Sequence, residues 1–307
     1  MNEPFFSVVM PTFNRFNKIS QTIESVLNQT FKNYEFIIVD DGSTDQTEEV
    51  INRYRPKDPR IKYIKTKNWG GPARPRNIGI EASKGSYISF LDDDDIWYKN
   101  KLEVVNKYIY ENPEYILFCH NEDYYYNGIK KCENDYGPYD GNLYETLLFK
   151  NNKVSTSAAT VKKETLIDSG CFSEDRSIIS VEDYDLWIRL SVKGKFFHIP
   201  EILGQYIVES DGDNISCSLL KHSEAYLSVG LKNLAVWGEA YPNNDKVINK
   251  RISDLYFNAA MIVANAGWKN IFHYIIASIK IHPYNPKPYL IIPALIEKKI
   301  KDRKHHY

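Results

Sequence analysis

The run Gly85-Ser-Tyr-Ile-Ser-Phe-Leu-Asp-Asp-Asp-Asp-Ile-Trp97 constrains the fold of this chain more than any other stretch. Ile88, Phe90 and Leu91 are apolar and strand-prone, and they lead without a break into Asp92, Asp93, Asp94 and Asp95. A buried strand that ends in clustered acid places negative charge at the carboxyl edge of a sheet, where open α/β sheets bind ligands. Four adjacent carboxylates repel one another, and a divalent cation carrying a phosphorylated ligand would relieve that repulsion. An acidic run standing alone reads equally as a solvated loop. The apolar strand before it, and the chain around it, favour the ligand-binding edge.

Phe5 to Met10 is a first buried strand stopped by Pro11, with Pro11 to Arg15 as a loop at its carboxyl end. Ile19, Ile23, Val26 and Leu27 have helical spacing. Tyr34 to Val39 is a second strand running into the acidic loop Asp40 to Asp45, and Glu48 to Tyr54 is helical. Ile61 to Ile64 is a third strand, Asn68 to Pro72 a Gly/Pro loop, and Ile78 to Ala82 part of a helix that ends before Gly85. This alternation predicts an α/β fold with a mostly parallel sheet flanked by helices. Right-handed crossovers then bring Pro11–Asn14, Asp40–Asp45 and Asp92–Asp95 to one edge.

Downstream, Leu102 to Tyr110 reads as a helix, Tyr115 to Cys119 as a strand, and Asn127-Gly128 as a hairpin turn. Thr156 to Val161 is a strand, and Lys163 to Asp168 a short helix. Ser180 to Leu190 is a helix with Glu182, Asp183 and Asp185 in its first turn, where the helix dipole favours acids even without a chemical role. Phe196 to Ile199 and Ile202 to Val208 are strand-like, and 209–214 is a polar loop. Three helices follow: Ala225 to Trp237, Ile248 to Ala266 and Ile271 to Ile281. We place a boundary near 215, giving a domain 1–215 and a helical C-terminal region 216–307. Those helices can pack on the first domain or on a second copy of the chain. The basic end, 295–307, has a short apolar stripe; it reads as a packed terminal helix or as a peripheral contact with an anionic membrane surface.

A chain of 307 residues accommodates one large domain and a smaller appendage. Its formal charge of −1 lacks the basic footprint that nucleic acid requires. Cys119, Cys132, Cys171 and Cys217 form no Cys-x-x-Cys motif, so free thiols in a reducing cytosol are expected. The opening residues do not read as a signal peptide, and no stretch approaches the ~20 apolar residues of a membrane span. The expected location is cytoplasmic, with peripheral contact at the inner face of the cell membrane through the basic tail.

Taken together, Ser7-Val-Val-Met-Pro-Thr-Phe-Asn14, Ile37-Ile-Val-Asp-Asp-Gly-Ser-Thr-Asp45, Ala73-Arg-Pro-Arg-Asn-Ile-Gly79, Ile88 to Trp97 and Glu182-Asp-Tyr-Asp-Leu-Trp187 resemble the inverting family 2 glycosyltransferases. The resemblance covers the first two hundred residues or so and does not extend past residue 215. It implies a GT-A, Rossmann-like fold, a nucleotide-diphosphate-sugar donor, usually UDP-linked, and Mn²⁺ or Mg²⁺. Pro11 and Thr12 would line the nucleotide pocket, with Asn14 at its edge or capping a turn. Asp40 would accept a hydrogen bond from the base, and Arg76 would lie near the nucleotide or its diphosphate. Asp94 would bind the metal, Asp92 or Asp93 would contact ribose or a metal-bound water, and Asp183 would be the catalytic base. The acceptor would be a hydroxyl of a glycan, lipid-linked or protein-linked, as in bacterial surface polysaccharide synthesis.

These roles are chemically coherent. Carboxylate oxygens hold a hard cation that neutralises a departing diphosphate. A second carboxylate takes the acceptor proton as the oxygen attacks the anomeric carbon from the opposite face, and direct displacement inverts the configuration. Neighbouring acids, Glu182 and Asp185, would raise the pKa of Asp183 and so improve it as a base. One departure stands out. Many relatives carry Tyr-Arg-x-His after the late strand, and here it reads Tyr206-Ile-Val-Glu209, so either Glu209 substitutes in that place or phosphate is neutralised elsewhere, for example by Arg76 or Arg74. Trp69 suits base stacking or loop anchoring, Trp187 the acceptor site or the core, and His120 and His198 structural positions. Two other readings compete. A nucleotidyltransferase would need a Gly-rich basic loop after the first strand, which Pro11-Thr-Phe-Asn14 is not. A catalytically inactive binding or scaffolding module would be marked by loss of Asp94 or Asp183, and both are present.

Overall fold

The computed structural model describes residues 3–139, 141–150, 152–209, 219–264 and 268–291. All of the polar loop 209–214 but its first residue, the boundary at 215, Cys217 and the basic tail lie outside them. The chain divides into two compact units: Met1–Glu174 with Glu182–Gly212, and Asp175–Val181 with Asp213–Tyr307.

The first unit begins as β1 (Phe6–Thr12), α1 (Ile19–Leu27), β2 (Tyr34–Asp40), α2 (Thr47–Asn52), β3 (Ile61–Lys65), α3 (Ala73–Ala82) and β4 (Tyr87–Phe90). It continues through β5 (Ile96–Trp97), α4 (Lys101–Glu111), β6 (Leu117–Tyr126), β7 (Ile129–Asn134), α5 (Leu143–Phe149), β8 (Ala159–Lys162), α6 (Lys163–Asp168), α7 (Glu182–Ser191) and β9 (Phe196–Val208). The sheet order is β3-β2-β1-β4-β8-β6-β9-β5, with β7 paired to β6. In its first half, β3, β2, β1 and β4 are all parallel, as the alternating elements require. Beyond β4 the sheet becomes mixed. β8 runs antiparallel to both β4 and β6, β9 is parallel to β6, and β5 is antiparallel to β9.

Each residue of β1 and β2 is buried, which explains why these strands are mostly apolar and do not alternate. Val8, Met10, Phe36 and Ile38 on one face meet Ile19, Ile23 and Val26 of α1 and Leu102 and Val105 of α4. On the opposite face Gly79 of α3 packs so closely on β1 that a Cβ there would sit 2.4 Å from Val9 Cγ1.

Several boundaries differ from expectation, each for a local reason. β1 runs through Pro11 to Thr12, so its loop starts at Phe13. α3 begins at Ala73, ahead of Ile78, because Pro75 in its first turn has no N–H to lose. The two late strand-like runs are one strand, β9. Its pairing register with β6 shifts on either side of Asn121, which absorbs Pro200-Glu201 as a bulge. The Asn127-Gly128 turn, with φ of 49° and 73°, joins β6 to β7 as expected.

The second unit holds α8 (Leu219–Ala240), α9 (Asp245–Val263) and α10 (Trp268–Ile281). α9 packs against both of the others, with Leu255, Ala259 and Val263 fully buried. Ser253 and Ser278 hydrogen-bond at 2.8 Å between α9 and α10, and Asn285 donates to Ser253 at 2.9 Å. No described helix is long and apolar enough to cross a membrane.

Candidate active site

The parallel half of the sheet delivers its loops to one edge. Thr12 pairs in register with Asp40, so the ends of β1 and β2 lie side by side. Asn14 adopts φ of 53°, its amide accepts from the Thr44 N–H at 2.9 Å, and its N–H donates to Ser43 Oγ at 2.9 Å. Asn14 therefore splices the two loops together.

Asp40 is fully buried, and its carboxylate accepts from the Ser43 N–H and the Tyr63 hydroxyl, both at 2.7 Å. Its neighbour Asp41 accepts from the N–H groups of Trp69 and Gly70 at 2.9–3.0 Å, which anchors the loop before α3. Trp69 is correspondingly buried. The acids at the end of β2 thus fix the loops around them through hydrogen bonds the sequence does not reveal.

The four acids after β4 are strongly unequal. Asp92 is a third exposed along its side chain and takes 2.6 Å contact from Arg76 Nη2. Asp93 is largely buried against Arg15, with Nε at 3.1 Å. Asp94 is a fifth exposed and lies 3.6 Å from Arg15 Nη2. Asp95 is buried, and its carboxylate accepts from Ser157 Oγ at 2.5 Å and the Ile207 N–H at 2.9 Å. Burial, then the charges of Asp93 and Asp92, push the Asp94 carboxyl up to about 7, with Arg15 and Lys18 opposing. Asp95 is raised further by burial and by Asp94 and Glu122.

Arg76 joins this acidic turn to a distant helix. It is almost wholly buried, with Nη1 at 2.7 Å from Glu182 Oε1 and its guanidinium over the Phe172 ring at 5.1 Å. Two arginines in the first turn of α3 oppose the helix dipole; burial of Arg76 is tolerated because Asp92 and Glu182 flank it. Its charge is internal, so it bridges acids instead of presenting a cation outward.

Asp183 lies next to this bridge at the start of α7. Thr156 Oγ1 donates to Asp183 Oδ2 at 3.2 Å, and the Tyr184 N–H donates to Oδ1 at 2.7 Å. Burial raises its pKa, Arg76 opposes that, and Asp92 adds to it. The expected contribution of Asp185 is absent for a visible reason: Asp185 is paired with Arg189 at 2.8 Å, one turn along the helix. Trp187 belongs to the core, between Phe90 and Phe172. His120 and His198 are structural, bonding the Asn121 carbonyl at 2.8 Å and the Asn121 side chain at 2.9 Å.

At the other rim Glu209, just past β9, forms an ion pair with Lys18. Lys18 and Arg15 thus border the acid turn from the segment after β1, and neither was marked by the sequence as more than loop. Ser157 and Thr156, just before β8, were also missed; an uncharged Ser-Thr-Ser stretch carries no signal of its own.

Among the described residues no three His, Cys, Asp or Glu side chains form a ready-made metal cage. The acid turn nevertheless fits a hard divalent ion. Asp94 offers a partly exposed carboxylate beside the further carboxylates of Asp92 and Asp93, and ions such as Mg²⁺ commonly use one or two carboxylates with water and substrate phosphates.

The model of the family described as Glycosyl transferase family 2 matches residues 7–162, just over half of the chain. This chain belongs to glycosyl transferase family 2. An uncharacterized glycosyltransferase of Rickettsia conorii is 36% identical over 253 residues, 81% of this chain but only 39% of the relative. The chain therefore spans about two fifths of the length of that relative. The E. coli UDP-Glc:alpha-D-GlcNAc-diphosphoundecaprenol beta-1,3-glucosyltransferase WfaP is 31% identical, over 74% of this chain and 87% of its own. Among solved structures, S. aureus TarS 1–349 in complex with UDP aligns with a TM-score of 0.65 at 18% identity, covering 97% of this chain and 87% of TarS. That likeness carries the fold, which is GT-A with added C-terminal helices. Family 2 membership places the chain among glycosyltransferases, and the site above occupies the edge where the family resemblance lies.

Proposed function

We propose that the protein transfers a sugar from a nucleotide-diphosphate donor, UDP-linked, to a hydroxyl of a glycan or lipid-linked acceptor with inversion of configuration. The observation that carries this reading is the placement of Asp183. It is a buried carboxylate with a raised pKa, held by Thr156 and the Tyr184 N–H, beside the Arg76 bridge to the acid turn. The acceptor oxygen attacks the anomeric carbon while its proton passes to Asp183. The bond to the diphosphate breaks, and its electron pair leaves with the phosphate oxygen. One displacement needs one base, and no second nucleophile is required.

Asp94 would hold the divalent ion, Mn²⁺ or Mg²⁺, which supplies positive charge to the departing diphosphate when bound. Arg15 and Lys18 border the same place and add to the local positive field. The spliced loops of Asn14, Ser43 and Asp41 would seat the nucleotide beside Pro11, Thr12 and Asp40. A UDP donor is supported by WfaP, named for UDP-Glc, and by TarS, solved with UDP. WfaP's diphosphoundecaprenol acceptor supports the lipid-linked choice.

Thermal denaturation with UDP, GDP, CDP and dTDP, each with Mn²⁺ and with chelator, tests this. A ligand that binds only the native state raises the midpoint with the logarithm of its excess over Kd. A shift specific to UDP with Mn²⁺, lost with chelator, is expected. A shift with another nucleotide would change the donor class, and no shift with any would overturn the reading.

A further inference from the structure

We propose that Ser157 is a positioning residue that sets the metal affinity of the acid turn; this rests on the donor-site reading above. Ser157 is about as buried as a residue can be, at 1% exposure, and it lies more than sixty positions from the turn it holds. Its hydroxyl bonds both ends of that turn. Oγ donates to Asp95 Oδ2 at 2.5 Å and accepts from the Asp92 N–H at 3.1 Å. The turn's own backbone bond, Asp95 N–H to the Asp92 carbonyl, is 3.2 Å, at the long end of the ordinary range, and the Ser157 hydroxyl adds a second link between the same two residues.

The backbone of Ser157 is fixed in its turn. Its carbonyl accepts from Trp97 Nε1 at 2.8 Å and from Lys101 Nζ at 3.4 Å. The Lys101 ammonium lies over the Trp97 ring, 3.2 Å from its centroid. The clasp is thus held by the residues that follow the acid turn, and it cannot drift away from it. Asp95 meanwhile bonds the Ile207 N–H, which connects the turn to the end of β9.

The consequence falls on Asp94. It is the partly exposed acid between two clasped positions, and its side chain points where the turn directs it. Groups that orient a metal ligand without touching the metal typically change metal affinity about tenfold to a hundredfold when removed. Ser157→Ala removes the clasp and leaves every carboxylate in place.

The test is a Mn²⁺ titration of the UDP-dependent thermal shift, run on wild type, Ser157→Ala, Ser157→Cys and Ser157→Thr. The Mn²⁺ concentration at half-effect is expected to rise about tenfold or more in Ser157→Ala. Excess Mn²⁺ should restore the full shift. Ser157→Thr, which keeps a hydroxyl, should stay within about threefold by the same reasoning. Ser157→Cys fills the same space with a poor donor and is expected to follow alanine, so it serves if Ser157→Ala does not fold. An unchanged half-effect concentration in a folded Ala or Cys variant overturns the proposal. A wild-type protein that shows no Mn²⁺-dependent UDP shift overturns the donor-site reading, and this proposal with it.

Discussion

Arg76 and Asp92 form an ion pair of 2.6 Å, with the guanidinium almost wholly buried and the carboxylate at the partly exposed lip of the acid turn. The other end of the same guanidinium holds Glu182. The bridge ties the acid turn to the residue next to Glu182, which is Asp183, the proposed base.

Removing Arg76 should therefore cost both stability and function. Arg76→Met leaves Glu182 buried without its counter-ion, and breaking a buried pair in this way costs about 3–5 kcal/mol. Arg76→Lys keeps the charge but cannot bond two acids through a planar fork, so it should recover only part of that. Urea denaturation of the three proteins measures the loss of stability, and a transfer assay on the folded variants measures the loss of function.

Asp183→Asn should reduce transfer by about two to four orders of magnitude, the usual contribution of a positioned base. Near-normal turnover in this variant would remove Asp183 from the mechanism. The pH profile carries the sign. Because burial raises the Asp183 pKa, the base is lost as pH falls through that raised value, at a higher pH than an ordinary carboxylate would show. In stability the same shift acts oppositely. The folded state binds this proton more tightly, so its contribution is present at low pH and is lost as pH rises through the folded pKa. Asp183→Asn should gain stability relative to wild type over that rise.

Asp94 predicts a metal effect with a defined pH window. Its carboxyl is pushed up to about 7 by burial and by Asp93 and Asp92. Without metal, the folded state should lose stability as pH rises from the ordinary carboxylate range through about 7. Mn²⁺ competes with that proton, so the Mn²⁺-dependent UDP shift should grow over the same interval. Asp94→Asn should abolish the shift and its pH dependence together. Differential scanning calorimetry at several pH values, with and without Mn²⁺, measures both.

Much of this arrangement was legible in the sequence. Continuous apolar runs marked β1, β2 and β4, since strands buried on both faces need no alternation. The acids that end them marked the edge. What escaped was the wiring. Nothing local in the sequence says that Arg76 will be held by a partner 106 positions away. Ser157 read as strand filler, because a hydroxyl acquires its meaning only from the groups that fold onto it. The mixed half of the sheet escaped for a similar reason: β5 is two residues long, and strand direction beyond a hairpin is set by tertiary pairing.

Gly85 offers a check on packing away from the chemistry. A Cβ there would lie 2.6 Å from the Phe6 carbonyl carbon and the Ser7 nitrogen, both backbone atoms that cannot swing aside. Gly85→Ala should destabilise by about 1–3 kcal/mol through overpacking. A thermal midpoint equal to wild type would show that β1 and the entry to β4 separate more easily than their geometry implies.

The Arg76–Glu182 contact also sets a timetable for biosynthesis. Arg76 leaves the ribosome 106 residues before its second partner. At ordinary elongation rates of about 5–20 residues per second, that interval is roughly 5–20 s. For that time the emerging β1–β4 half holds an arginine with half of its counter-charge. The constellation at the sheet edge cannot assemble until α7 has been made, so a prematurely ended chain would carry the acid turn without Asp183, the proposed base.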